Sequence, residues 1–256
     1  MGSALLAQWG NIADRDFPEH RFFVIDPAAD FGVDTARITF LRAPPPVGES
    51  AFDLVIVAVK PQIVDAVLPD YAPRLTEGGF VASIAAGCSI ARLSALAGGA
   101  PVIRVMPNLP AAIGAGVSGL CSAPSARAAQ RDAVEALMSA VGTTLWVEDE
   151  DKLDRLTAIA GSGPGYVFEI ARSYVAAAEA LGFSADAARQ LVLGTMAGTI
   201  ALAQASDESL GALRTSVTSK GGTTAAGLDA LNADGWLSAR IHATVDAAYR
   251  RAIELR

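Results

Sequence analysis

Near the far end of a 256-residue chain stand Thr218, Ser219, Lys220, Gly221, Gly222, Thr223 and Thr224, directly before the helical pattern "AAGLDAL". Hydroxyls, a cation and two backbones without side chains are concentrated there. Such a turn suits a small anion. A helix N-terminus offers N–H groups with no intrahelical acceptor and the positive end of the helix dipole. Gly221 and Gly222 let the backbone curl and approach an anion closely. Ser219 and Thr223 can add hydroxyl donors, and Lys220 a positive charge. An ordinary capped turn uses the same residue types, so the pattern leaves both readings open.

A second set of residues suits a dinucleotide. "RFFVID" ends in Asp26, about 20 residues after the place of a Gly-rich turn, where an acid reads the adenosine ribose. A carboxylate there accepts from the 2′-OH and repels a 2′-phosphate, and no Arg follows it immediately. The position favours NADH over NADPH, although Asp26 also reads as a turn former before Pro27. "AVKP" (Ala58, Val59, Lys60, Pro61) and "MPN" (Met106, Pro107, Asn108) each close an apolar run. In open α/β sheets ligands lie at the carboxyl ends of strands. Ala58 to Pro61 are therefore expected along the nicotinamide ribose, and Met106, Pro107 and Asn108 near the nicotinamide. Lys60 could equally be a solvated residue at a helix start.

Positioning these groups requires a layered fold. "RFFVID" (21–26), "ITFL" (38–41), "FDLVIVAV" (52–59), "GFVASIA" (79–85) and "PVIRVM" (101–106) read as strands. "PQIVDAVLPDYAPRL" and "SIARLSALA" read as crossover helices between them. Residues 117–121 and 143–148 read as further strands flanking a helix over 125–140. This pattern predicts an α/β, doubly wound, Rossmann-like domain over 1–150. From 151 to 256 only helical periodicity remains, rich in Ala and Gly, which let helix axes approach closely. An all-α substrate-binding and dimerisation domain is expected there, in a homodimer or an oligomer of dimers.

The start of the chain does not complete the pattern. "MGSALLAQWG" already reads as the first helix, with Gly2 as the last glycine of the Gly-rich turn. The first strand and the earlier glycines have no residues to form them. A gap or a displaced 21–26 strand beside 53–59 is expected, with weak dinucleotide binding and a native start upstream.

Composition excludes several classes. Net charge is −7 and no long basic run exists, so nucleic acid is not an expected partner. Cys88 and Cys121 lie far apart and, like His20 and His242, show no metal-ligand spacing; the thiols read as small buried groups in a reducing compartment. No metal, no membrane span and no secretion signal are expected, and the cytoplasm is the expected location.

"AVKP" (58–61), "RVMPN" (104–108), "GSGPGYVF" (161–168) and "VTSKGGTTAAGLDAL" (217–231), in this order, resemble the pyrroline-5-carboxylate reductase family. The resemblance implies reduction of the cyclic imine 1-pyrroline-5-carboxylate to proline with NADH or NADPH. It implies that Ser219 to Thr223 hold the substrate carboxylate, and that the Thr224 hydroxyl meets the imine nitrogen as the catalytic group. Pro is usual in the family where Lys220 stands, and Ala where Gly165 stands. Two rivals remain at this stage. A β-hydroxyacid dehydrogenase would place a catalytic Lys where Glu169 stands, and a non-catalytic dimer would have kept the fold but lost the cofactor.

Overall fold

The structure, a computed structural model, describes residues 1–16, 19–27, 37–49 and 51–256, with the backbone alone over 11–16. Its first elements are α1 (Gly2–Asp16), β1 (Phe22–Ile25), β2 (Ile38–Leu41) and β3 (Phe52–Val57). A helical segment over 61–74 follows and contains α2 (Val64–Val67). Next come β4 (Leu75–Ser83), α3 (Ile90–Leu96), β5 (Val102–Pro107), β6 (Gly116–Ser122), α4 (Ala128–Ser139) and β7 (Gly142–Trp146). Then α5 (Glu150–Leu156) leads through a π-helical turn, Thr157–Gly161, into α6 (Gly163–Ala180), α7 (Ala185–Gln204), α8 (Leu210–Ser216), α9 (Thr223–Leu231) and α10 (Trp236–Glu254).

Strands β3 to β7 form one sheet in the order β3-β4-β5-β6-β7. Alternation along each strand builds two cores. Phe80, Ala82, Ile103 and Val105 face α1 and α4, where they meet Leu5, Trp9, Val134 and Leu137. Val57, Val81 and Val102 face the opposite side, against Val64, Leu68 and Leu93. The Trp9 indole N–H donates to the Leu137 carbonyl at 2.9 Å and pins α1 to α4. A sheet covered on both faces explains why its strands read as nearly unbroken apolar runs.

Two details differ from the sequence reading. β3, β4 and β5 are parallel, but β6 runs antiparallel to β5. The link between them is a short 3-10 turn, Leu109–Ile113, closed by Gly114 at φ 74°. So short a link reverses the chain, whereas a parallel return needs a longer crossover. The expected crossover helix over 61–75 is broken into 3-10 turns around α2, with Pro73 inside the second. Proline removes the ladder donor and clashes with the preceding turn.

A gap or a displaced 21–26 strand was expected beside β3, and among the described residues the hydrogen-bonded sheet breaks between β1 and β3. β1 and β2 form a separate parallel pair, and among the described residues no strand lies between β1 and β3. The Phe23 and Phe52 rings meet edge to face at 5.7 Å across this break.

The chain forms two compact units, Met1–Pro164 with Ala248–Arg256, and Gly165–Ala247. The sequence boundary near 150 follows the end of the strands. Compactness instead groups α5, the π turn and the end of α10 with the sheet. Unit 2 has a small core of Ala178, Ala188 and Val192 between α6 and α7. Many of its apolar side chains are exposed, among them Phe168, Leu191, Ile200, Leu202 and Trp236. No helix among the described residues is long and apolar enough to cross a membrane.

Candidate functional site

The candidate residues divide between the units. Gly2, Asp26, Ala58 to Pro61 and Met106 to Asn108 belong to the first, and Ser219 to Thr224 to the second.

In the first unit α1 begins at the end of β3. The N–H groups of Ala4 and Leu5 both donate to the Met1 carbonyl, at 3.0 and 3.1 Å. Those of Gly2 and Ser3 precede the ladder and have no intrahelical acceptor. A Cβ on Gly2 would stand 3.0 Å from the Ala58 Cβ, so the helix start and the strand end approach as closely as a glycine allows. Ala58 and Lys60 are exposed, while Val59 and Pro61 are half-buried. Lys60 is extended, with φ −63° and ψ 142°, as a residue before proline should be. Asp26 follows β1, half-buried, with its N–H donating to the Leu41 carbonyl at 3.1 Å. The structure thus brings Gly2 against Ala58 and sets Asp26 at the carboxyl end of the separate strand pair.

Met106, Pro107 and Asn108 close β5 from within. Met106 packs with Cys121 and Leu153. Asn108 is 7% exposed. Its Nδ2 donates to the Ala160 carbonyl at 3.1 Å, and its Oδ1 accepts from the Val117 N–H at 2.9 Å. Only one Nδ2 hydrogen remains for any ligand.

Sequence reading missed what lies beneath. Arg104, 1% exposed, is bound by the Glu150 carboxylate at 2.7 Å, and the same Oε1 accepts from the Ile90 N–H at 2.9 Å. The one signal for it was an arginine inside the apolar run "PVIRVM". Burial, reinforced by Glu150, pushes the neighbouring Cys121 thiol up to about 11. It stays protonated at neutral pH and is no nucleophile.

In the second unit the Ser219 carbonyl accepts from the Gly222 N–H at 3.0 Å, closing a tight turn. Gly221 stands at its third position with φ 72°, the signature of a type II turn. Lys220 therefore occupies the second position, where proline is favoured. A Cβ on Gly222 would lie 2.3 Å from the Ser219 hydroxyl oxygen. Gly222 caps α9 with no side-chain hydrogen bond. The N–H groups of Thr223, Thr224 and Ala225 precede the ladder, whose first bond runs from Ala226 to Gly222 at 3.2 Å. Lys220, Thr223 and Thr224 are exposed. Three backbone donors, adjacent hydroxyls and a flexible cation thus surround one accessible helix start, which can receive a carboxylate. Glu169, where one rival would need a lysine, is exposed on α6 and ion-paired to Arg172 at 2.7 Å.

The family model described as pyrroline-5-carboxylate reductase dimerisation matches residues 150–255. The chain is 40% identical over 204 residues to the pyrroline-5-carboxylate reductase of Pseudomonas aeruginosa, covering 79% of this chain and 74% of that one. It is 34% identical to the corresponding Synechocystis enzyme over 100% of this chain and 94% of the relative. Its fold matches that of a Coxiella burnetii pyrroline-5-carboxylate reductase with a TM-score of 0.90 at 29% identity, covering 100% of this chain and 94% of that one. A Plasmodium falciparum pyrroline carboxylate reductase, solved with NADP bound, matches with a TM-score of 0.81 at 26% identity over the same shares.

Proposed function

The chain belongs to the pyrroline-5-carboxylate reductase family, and from that premise we propose how its residues divide the work. It is an NAD(P)H-dependent oxidoreductase that reduces 1-pyrroline-5-carboxylate to proline, the closing step of proline biosynthesis. Its helical half serves self-association.

The observation that carries the residue assignment is the Ser219–Gly222 turn, with its positive φ at Gly221 and the unpaired N–H groups of α9 beyond it. The substrate carboxylate is received there by the N–H groups at the α9 start, the Ser219 and Thr223 hydroxyls and the Lys220 ammonium. Thr224, one residue into the helix, holds the ring nitrogen. Reduction of the C=N bond adds hydride to carbon and leaves a proton to be held on nitrogen. Threonine is too weak an acid to supply that proton alone, so its hydroxyl orients the imine while water or the substrate itself provides it.

The first unit fits a dinucleotide at the α1 start and the strand ends. The α1 start supplies the N–H groups of Gly2 and Ser3 for a phosphate, and the glycine keeps Ala58 within reach. Ala58, Val59, Lys60 and Pro61 line the nicotinamide ribose, and Met106 to Asn108 bound the nicotinamide end. The reduced nicotinamide, when bound, supplies the hydride. Asp26, at the carboxyl end of β1, accepts from the ribose 2′-OH and disfavours a 2′-phosphate, which makes NADH the preferred cofactor. The functional division falls near 150, where the matched family segment begins. The assembly is a dimer or a set of dimers. The two buried free thiols suit the cytoplasm.

The test is a spectrophotometric assay with 1-pyrroline-5-carboxylate and each cofactor. NADH is expected to give the higher kcat/KM, and Asp26→Ser to narrow or reverse the ratio. A preference for NADPH in the unsubstituted protein would show that Asp26 does not read the ribose.

A further inference from the structure

The Asn108 carboxamide spans three elements. Its oxygen takes the Val117 N–H at 2.9 Å, at the start of β6, and its nitrogen gives a hydrogen to the Ala160 carbonyl at 3.1 Å, in the π turn. The group is buried, and its partners are 9 and 52 residues away in sequence. The π turn is closed by the Ser162 N–H donating to the Thr157 carbonyl at 2.9 Å. Such turns are uncommon and recur at functional sites. This one also lies against the end of β5: a Cβ on Gly161 would come 3.8 Å from the Met106 Cγ. A few residues later, at Gly165, the chain passes into unit 2, which carries the substrate turn.

We propose that Asn108 is a positioning residue for hydride transfer: its carboxamide locks the end of β5 to the π turn through the Ala160 carbonyl and fixes the backbone that meets the nicotinamide. The proposal rests on the reading that the nicotinamide end lies at β5. A ligand-binding side chain would keep its polar atoms for the ligand, whereas Asn108 spends both ends on protein backbone. A loosened β5 end misplaces the nicotinamide that it meets without removing a contact to it, and hydride transfer is steeply sensitive to such misplacement.

Asn108→Asp keeps the acceptor for Val117 but sets a carboxylate oxygen against the Ala160 carbonyl. Gly161→Ala disturbs the same contact from the other side. Its methyl would lie 3.3 Å from the Thr157 Cγ2, so the turn must give by tenths of an ångström while the fold holds. Three quantities are read for each: kcat, the Kd for NADH by fluorescence titration, and the primary deuterium isotope effect on kcat with NADH labelled at the transferred position. Asn108→Asp is expected to lower kcat by about 10- to 100-fold, to leave the Kd within about threefold, and to raise the isotope effect as the chemical step becomes limiting. Gly161→Ala should move all three the same way by about two- to tenfold. A Kd that rises in step with the loss of kcat would make Asn108 a direct ligand and overturn the proposal. A lower Tm with unchanged kcat and isotope effect would make it merely structural. Where Asn108→Asp does not fold, Gly161→Ala decides, and an unchanged isotope effect there overturns the proposal. Hydrogen exchange of the unsubstituted protein tests the premise separately. NADH should slow exchange in the loop after β5; no slowing removes the premise and the positioning role with it.

Discussion

A threonine hydroxyl is too weak an acid to protonate an imine alone at neutral pH, so the role proposed for Thr224 is orientation. Thr224→Ala should lower kcat about 100-fold, the low end for loss of a proton-handling group, with little change in KM. Thr224→Ser should recover most of the loss. Steady-state kinetics decides, and an unchanged kcat in the alanine variant would remove Thr224 from the reaction. Gly222 predicts the opposite split. A valine there would drive its side chain into Ser219, whose hydroxyl oxygen lies 2.3 Å from the Cβ position. KM for the imine should rise at least about tenfold while kcat falls less, and proline should bind more weakly as a product inhibitor. Normal proline affinity would mean that the turn only caps α9. The turn's conformation was legible because turn chemistry is local: two glycines, a flanking serine and a following helix fix it within a few positions. The hydrogen bonds of Asn108 were not legible. They join residues far apart in sequence, and no spacing announces them.

At the scale of elements, the C-terminal end of α10 is fastened to α5. The Tyr249 hydroxyl donates to Asp151 at 2.5 Å, the Arg155 guanidinium lies 4.9 Å from the Tyr249 ring centroid, and Arg256 approaches Asp154 at 2.7 Å. The Asp154 side chain is 4% exposed and that of Arg256 29%. Burial raises the Asp154 pKa, with Arg256 acting against it. The folded state therefore holds this proton more tightly than the unfolded chain does. Stability from this group is greatest below the ordinary carboxylate pKa and falls as pH rises through the raised one. Arg256 offsets that fall. Arg256→Ala should cost about 1–3 kcal/mol at pH 7, discounted for the exposed side of the pair, and much less at pH 4. Denaturant titration at both pH values tests this, and an equal loss at both would separate Arg256 from the charge on Asp154. This latch had no sequence signal, since "VEDEDKLD" reads as a solvated acidic helix start. Strands, by contrast, were readable within a few residues from their apolar runs. Their direction was not, because alternation is the same for parallel and antiparallel neighbours, and β6 reverses only through its short link. The helix over 61–75 was overread because its apolar spacing outweighed Pro69 and Pro73.

For the whole molecule, the change from strands to helices was visible in the sequence. The return of Ala248–Arg256 to the first unit was not visible, since it depends on a few long-range contacts. What covers the second unit follows from its surface. Leu191, Gly194, Gly198 and Leu202 fall along one side of α7 at helical spacing. Both leucines are exposed, and nothing lies within 4 Å of a Cβ at either glycine. Large apolar exposure of this kind marks an interaction surface, and small residues along it let another helix come close. A second copy of the chain fits the family's dimerisation segment, which spans all of α7. Leu202→Glu would bury a carboxylate against apolar side chains with no partner, at a cost of several kcal/mol per subunit. Sedimentation equilibrium should then shift from a multiple of the chain mass toward the single chain, with α-helical circular dichroism largely kept. Gly198→Leu should weaken association in the same direction by holding the helices apart. If both variants keep the unsubstituted mass across a hundredfold dilution, this side of α7 faces solvent in the assembly and the subunits meet through another surface.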